Sequence, residues 1–266
     1  MRPKKRYGQN FLINETIVNK IITSENLENK VVFEIGPGRG VLTQKLARQA
    51  EQVFAFEIDY TLSLYLDPIK DKNANLEIIY GDVLEVDFKK FIANNNLNNV
   101  ICIANIPYYI TGLLLKKLKE TKEISTLILM LQKEVAERLT AEPGKRIYGS
   151  LSVMFNFYYD IIKVVDVKRT NFYPVPKVDS VVVKMVRKDD YLKKVNDLNF
   201  FQEFVEAAFK QKRKTLVNNL RAHFNLSSKE ILNRLAKMEP SFNPLERAEN
   251  ISIKRFISFS NGWNND

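Results

Sequence analysis

Asn105-Ile106-Pro107-Tyr108-Tyr109 follows directly on the apolar run Val100-Ile101-Cys102-Ile103-Ala104, so a strand ends here in an amide, a proline and two aromatic rings. Proline fixes φ and carries no N–H, which stops a strand ladder at Pro107 and keeps Ile106 extended. The Asn105 amide, backbone carbonyls released from the ladder and an exposed ring suit one kind of guest, a planar base bearing an amino group. The oxygens accept from the amine and the ring stacks on the base. An ordinary strand end with a proline turn and two half-buried tyrosines is built from the same residues, so the rest of the chain must decide.

Three more segments place binding groups where strands end. Gly36-Pro37-Gly38-Arg39-Gly40 joins a strand to a helix, and small residues there admit a ligand to the backbone. The spacing is G-x-G-x-G; Val41 stands where the dinucleotide fingerprint puts its last glycine, so no pyrophosphate cradle is defined. Glu57 comes 21 residues after Gly36, at a strand end where an acid can accept both hydroxyls of a ribose. Asp82 ends the next strand and can accept from the amine of an adenine. In an open parallel sheet the ligand crevice lies beyond the carboxyl ends of the strands, and four such ends here suit a nucleoside. With one cysteine and one histidine the chain has no intrachain disulfide and little material for a metal site, and no metal is expected. Cys102 reads as a buried strand thiol and His223 as a helix-surface residue.

The elements that must position these groups alternate. Strands are expected at Val31–Ile35, Gln52–Asp59, Leu76–Asp82, Val100–Ala104 and Thr126–Leu131, with helices starting near Asn14, after Gly40, at about Tyr60 and at Ile110. That alternation predicts a mostly parallel sheet with helices on both faces. A helix near Ser150 precedes a strand from Tyr158 to Val167, a proline-stiffened loop over Asn171–Ser180, and a last strand over Val181–Val186. Two strands without a helix between them predict an antiparallel edge hairpin. Past Arg187 only helices are expected: Phe200–Phe209, Thr215–Phe224, Lys229–Lys237 and one from about Ser252. The expected division is therefore 1–187, a catalytic domain with a basic arm, and 188–266, a small all-α domain.

The composition, 45% hydrophobic and 27% charged, is that of a folded soluble protein, and no run reaches the roughly 20 apolar residues of a membrane span. The N-terminal Met1-Arg2-Pro3-Lys4-Lys5-Arg6 has no apolar core behind it, which predicts a cytoplasmic protein with no membrane partner. A net charge of +10 points to a polyanionic partner, nucleic acid before membrane. The arm (Arg2, Lys4, Lys5, Arg6) and the cluster Lys210, Lys212, Arg213, Lys214 and Arg221 are candidate phosphate contacts, the second set spaced for one helical face.

Glu34–Gly40, Glu57, Gly81-Asp82 and Asn105–Tyr108 together resemble the successive motifs of class I S-adenosylmethionine-dependent methyltransferases, a Rossmann-like fold with a seven-stranded sheet. More narrowly the chain resembles the ribosomal RNA adenine N6-dimethyltransferases, in Tyr7-Gly8-Gln9-Asn10-Phe11-Leu12, in the Asn105 tetrapeptide and in Phe172-Tyr173-Pro174-Val175-Pro176-Lys177-Val178-Asp179-Ser180. Within that family Gln211–Leu216, Tyr148–Val153 and Arg247–Ser252 resemble the small-subunit (16S) enzymes. Ile106 stands where those have leucine and resembles the erythromycin-resistance enzymes acting on large-subunit (23S) RNA. Three segments outweigh one residue.

The resemblance implies S-adenosylmethionine as cofactor and dimethylation of two adjacent adenosines near the 3′ end of small-subunit ribosomal RNA, on the immature 30S subunit, by a monomer. It implies that Gln9, Asn10 and Leu12 lie against the methionine end of the cofactor, with Gly36 and Gly38 at the backbone side. Glu57 and Ile58 meet the ribose, and Asp82 and Val83 the adenine. Asn105 borders cofactor and target amine, Ile106 or Pro107 offers a carbonyl, and Tyr108 and Phe172 sandwich the target base. The alternatives are a 23S methyltransferase, a DNA or small-molecule methyltransferase, and a catalytically silent assembly factor.

Overall fold

The computed structural model describes residues 3–263. Arg2 of the basic arm lies outside them, as does the side chain of Lys5. After the arm come β1 (Phe11–Leu12), α1 (Glu15–Ile22), β2 (Val31–Ile35), α2 (Thr43–Gln49), β3 (Gln52–Glu57), α3 (Ser63–Lys70), β4 (Leu76–Tyr80) and α4 (Phe88–Asn94). There follow β5 (Val100–Asn105), α5 (Thr111–Glu120), β6 (Ile124–Gln132), α6 (Lys133–Leu139), α7 (Ser150–Tyr158), β7 (Tyr159–Val167), β8 (Phe172–Tyr173) and β9 (Ser180–Arg187). The chain closes with α8 (Leu198–Ala208), α9 (Leu216–Phe224), α10 (Ser228–Met238) and α11 (Ile253–Gly262).

Seven strands form one sheet in the order β4-β3-β2-β5-β6-β9-β7. β4, β3, β2, β5 and β6 are parallel, and β9 runs antiparallel to β6. Because side chains alternate along a strand, each strand serves two layers. Phe33 of β2 and Phe54 and Phe56 of β3 turn to one face, where Phe88 and Phe91 of α4 meet them edge-on or tilted at 5.1–5.7 Å between centroids. Val32, Val53, Ala55, Ile101 and Ile103 bury the other face with Ile17, Val18 and Ile21 of α1, Leu46 of α2 and Leu66 of α3. Caps at the helix starts fit the sequence: Asn14 accepts from the Ile17 N–H, and Asp87 from that of Lys90.

The contacts divide the chain into one unit of Met1–Ala136 with Ile161–Arg187 and another of Glu137–Asp160 with Lys188–Asp266. The expected first domain therefore loses residues 137–160. Their place with the helical unit has a packing cause: Phe157 of α7 stacks on Phe201 of α8 at 4.6 Å, and the Tyr148 hydroxyl donates to the carbonyl of Ile251. In that unit Arg255 of α11 forms bidentate ion pairs with Glu239 and Glu246 at 2.7–2.8 Å. Cys102 is buried in β5, and His223 meets Glu203 at 2.8 Å on the helix surface.

The structure adds strands and helices the sequence reading did not contain. They are α4, α6, and the two-residue strand β8 inside the expected proline-stiffened loop; a fourth is β1, with which β8 pairs antiparallel (Phe11 opposite Tyr173, Leu12 opposite Phe172). It also withdraws one. Lys210, Lys212, Arg213 and Lys214 sit on the turn between α8 and α9 rather than on a helical face, and only Arg221 is helical. The buried Asn219 side chain holds that turn, accepting from Gln211 N–H and donating to the carbonyls of Ala208 and Gln211.

Candidate functional site

Strand order puts the site groups in a row. β4, β3, β2 and β5 are neighbours, so Asp82, Glu57, Gly36 and Asn105 follow one another along the carboxyl edge of the sheet. Three strand steps of about 4.8 Å make that row on the order of 14 Å long. A cavity of about 360 Å³ runs over it, lined by every residue expected to touch cofactor or target base: Gln9, Asn10, Leu12, Gly36, Gly38, Glu57, Ile58, Asp82, Val83, Asn105, Ile106, Pro107, Tyr108 and Phe172. Among the described residues no group of three or more His, Cys, Asp or Glu is placed to hold a metal ion.

At the adenine end of the row, Asp82 closes a turn by accepting the Leu84 N–H on one oxygen at 2.9 Å, which leaves the other oxygen for a ligand amine. Glu57 is 4% exposed. Its oxygens accept from the N–H groups of Asp59 (2.8 Å) and Gly38 (3.2 Å). Burial pushes its carboxyl up to about 7, against the pull of those N–H groups, so it is poised to ionise when hydroxyl donors arrive. Beneath the glycine turn Glu34 is fully buried, and burial, eased by nearby Thr43 and reinforced by Glu57, pushes it up to about 8. Neither Glu34 oxygen makes a hydrogen bond among the described residues.

The glycines of the turn have tight surroundings. Gly36 has φ +74°, and a Cβ there would come 3.3 Å from the Asn105 carbonyl oxygen. Gly38 has φ +61°, and its Cβ would press on the Phe11 ring at 3.0 Å. The space a side chain at position 38 would need is therefore taken by the arm, while Gly38 itself lines the cavity. Arg39 extends the same packing, its guanidinium 4.7 Å from the Phe11 ring, 5.6 Å from that of Tyr65 and 5.9 Å from that of Tyr173.

At the other end, the Asn105 side chain donates from Nδ2 to the Asn10 carbonyl at 3.2 Å, which aims Oδ1 as an acceptor. Of the two carbonyls expected as acceptors, at Ile106 and Pro107, the second has partners within the chain. The Pro107 oxygen already accepts from Ile110 N–H (3.2 Å) and the Thr111 hydroxyl (3.4 Å) as the chain turns into α5. The Tyr108 hydroxyl meets Ser180 Oγ at 3.1 Å, which fixes its ring, and Phe172 is held by the β1–β8 pairing. Tyr109 is 55% exposed at the rim, packed on one side by Gly8.

The cationic candidates part company. Lys4 Nζ is 2.7 Å from Asp59 Oδ1 and 2.8 Å from Thr61 Oγ1, so its charge is already paired within the first unit. Arg6 lies over the Tyr7 ring at 4.5 Å. Lys210, Lys212, Arg213, Lys214 and Arg221 are exposed, and none forms an ion pair with another described residue. Sequence reasoning missed Asp59 and Phe11. The signal for Asp59 was a second acid two residues past Glu57, placed to cap the turn that follows.

The donor set fits an S-adenosyl ligand: two carboxylates with open acceptor capacity for adenine amine and ribose diol, a backbone turn, and an amide oxygen where a methyl group would be delivered. Comparison with known proteins agrees. The curated "Ribosomal RNA small subunit methyltransferase A" of Onion yellows phytoplasma (strain OY-M) is 41% identical over 266 residues, covering 98% of this chain and 96% of its own. A solved dimethyladenosine transferase from Plasmodium falciparum matches with a TM-score of 0.77 at 28% identity, over 94% of this chain and 95% of that one. The 23S rRNA methyltransferase ErmE matches with a TM-score of 0.74 at 24% identity, over 95% and 99%, a likeness of fold. The fold is thus that of the Rossmann-like class I methyltransferases, and the model described as "Ribosomal RNA adenine dimethylase" matches residues 1–262. The chain belongs to the ribosomal RNA adenine dimethylase family.

Proposed function

We propose that this protein carries methyl groups from S-adenosylmethionine to N6 of two adjacent adenosines near the 3′ end of small-subunit ribosomal RNA. It acts as a cytoplasmic monomer on the immature 30S subunit. The observation that carries the reading is the Asn105 amide, oriented by Asn10 and placed next to the free Ile106 carbonyl at the end of the Asp82–Glu57–Gly36 row. The small-subunit assignment leans on the 41% identical relative of that name.

The bound cofactor supplies an electrophilic methyl group, which leaves alignment to the protein. Glu57 holds the ribose hydroxyls, with Ile58 beside them, and Asp82 and Val83 the adenine. Gln9, Asn10, Leu12, Gly36 and Gly38 close around the methionine end. Asn105 Oδ1 and the Ile106 carbonyl accept the two N6 hydrogens of the target adenine, which turns the nitrogen lone pair out of conjugation. Tyr108 and Phe172 stack on the base. Flipping a base out costs a few kcal/mol, and stacking returns about 1–3 kcal/mol per base, so the two rings offset the cost. No general base is needed if the N6 proton leaves after transfer.

The exposed Lys210, Lys212, Arg213, Lys214 and Arg221 are the cations available to RNA phosphates, and Arg2, Lys5 and Arg6 extend the arm toward the same role. Lys4 has another task, taken up below. The test is methyl transfer from labelled S-adenosylmethionine to immature small subunits, with mass spectrometry of the adenosines. Dimethyladenosine in small-subunit RNA is expected. Asn105→Ala should lower turnover by about 100- to 1,000-fold, the range seen on loss of one polarising group, with RNA binding retained. Label on large-subunit RNA would refute the substrate, and absence of transfer by the wild type would leave the assembly-factor reading.

A further inference from the structure

Asp59 belongs neither to the cavity lining nor to any role given above, yet it is 2% exposed and carries more hydrogen bonds than either acid of the cofactor row. Its Oδ1 accepts from Lys4 Nζ at 2.7 Å, from the Thr61 hydroxyl at 2.6 Å and from Thr61 N–H at 3.1 Å. Its Oδ2 accepts from Gln9 Nε2 at 2.7 Å. The Gln9 side-chain oxygen Oε1 in turn accepts the Lys4 backbone N–H at 2.7 Å, which closes a ring of bonds between arm and strand end. Burial alone would raise this carboxyl; Lys4, Thr61 and Gln9 together overcome that and hold it at about 2.

Two further facts tie this knot to the cofactor. The Asp59 N–H donates to Glu57 Oε1 at 2.8 Å, so the residue that grips the arm also orients the ribose acid. The arm it grips, residues 7–13, forms one wall of the cavity and is held elsewhere by the Asn105–Asn10 bond, by β1 on β8, by the Ile13 N–H donating to the Asn171 carbonyl at 2.9 Å and by the burial of Phe11 and Leu12. We infer that Asp59 is a positioning residue that latches the N-terminal arm, through Lys4 and Gln9, over the cofactor and against Glu57, so that cofactor release waits on the latch.

The inference rests on the reading of Glu57 as the ribose acid. Energetic coupling of this kind is reciprocal: a latched arm retains cofactor, and bound cofactor keeps the arm latched. Loss of a charge-assisted hydrogen bond at a part-exposed site speeds release by about tenfold.

The experiment uses the full chain as wild type, Lys4→Met, Gln9→Leu, the double variant, Lys4→Arg and Glu57→Gln. Labelled S-adenosylhomocysteine is bound, then chased with excess unlabelled ligand, and trypsin cleavage at Arg6 is followed with and without ligand. Release is expected about tenfold faster in each single variant and faster again in the double, with Lys4→Arg within about twofold of wild type. The ligand should slow cleavage at Arg6 in wild type and Lys4→Arg, and lose that protection in the double variant. Release from the double variant within about twofold of wild type, while Glu57→Gln weakens binding, overturns the latch alone. Unchanged binding in Glu57→Gln overturns the ribose assignment and the latch with it.

Discussion

Glu57 makes cofactor binding depend on pH in a way that can be worked out from its surroundings. The folded, ligand-free carboxyl titrates at about 7, raised from 4.5 by burial and held no higher by the Asp59 and Gly38 N–H groups. Each Glu57 oxygen already accepts an N–H, so both ribose hydroxyls can donate to it as well only when neither oxygen carries a proton, and binding draws on the ionised fraction. With a titration near 7, that fraction falls about tenfold between about pH 8 and about pH 6, and affinity falls with it. Binding at about pH 6 then expels close to one proton, which calorimetry in buffers of different ionisation enthalpy reads directly.

Glu57→Gln removes the titrating group and should flatten this slope. The neutral amide also exchanges charge-assisted bonds for ordinary ones, so affinity at about pH 8 should fall about 10- to 100-fold. The variant doubles as the control for protons lost by the ligand's own amino group. Titration calorimetry with S-adenosylhomocysteine over the range decides the matter. Equal slopes for wild type and Glu57→Gln, or a wild-type affinity constant across the range, would refute the argument that this buried acid carries the ribose.

Two other expectations test separate parts of the molecule. Glu34 is an acid whose folded titration, about 8, lies above its unfolded value of 4.5, so the folded state keeps a proton that the unfolded chain gives up, and stability falls as pH rises between the two. Glu34→Gln should therefore be more stable than wild type at about pH 8, by on the order of 4 kcal/mol, with the gap closing toward about pH 4; parallel urea midpoints at both ends would contradict it. Lys212→Ala with Arg213→Ala should weaken RNA binding and lower the salt slope by about one to two, and an unchanged slope would show that neither touches a phosphate.

The parts of the fold that could be read from sequence are those where local pattern and final environment agree. β2 and β5 are short apolar runs buried on both faces, and each stops at a residue that ends the extended backbone, Gly36 by its φ of +74° in one case and Pro107, which has no N–H, after Ile106 in the other. The site groups were legible for the same reason, since they stand at those stops. α4 was also within reach, with Asp87 as cap and Phe88, Phe91 and Ile92 at helical spacing, but the asparagines after it read as loop. β8 was not. Two residues cut off by Pro174 carry no period, and only pairing with Phe11-Leu12, far away in sequence, makes them a strand. The grouping of residues 137–160 with the C-terminal helices likewise depends on which rings meet Phe157, something no local pattern encodes.

The glycine turn is constrained by its own packing as well as by any ligand it faces. Gly36 and Gly38 were expected to be small so that a ligand could approach, yet both have left-handed φ, and the space beside Gly38 belongs to Phe11. A methyl group at position 38 would first displace that ring. Phe11 pairs with Tyr173, and its neighbour Leu12 pairs with Phe172, so the displacement passes along two residues of strand into the wall proposed to stack the target base. Arg39, standing between the rings of Phe11 and Tyr173, ties the same three segments from the other side. The turn that faces the cofactor thus also sets the position of the aromatic wall for the target. A residue changed in either one is felt in the other through Phe11, the residue of the arm to which sequence alone gave no role.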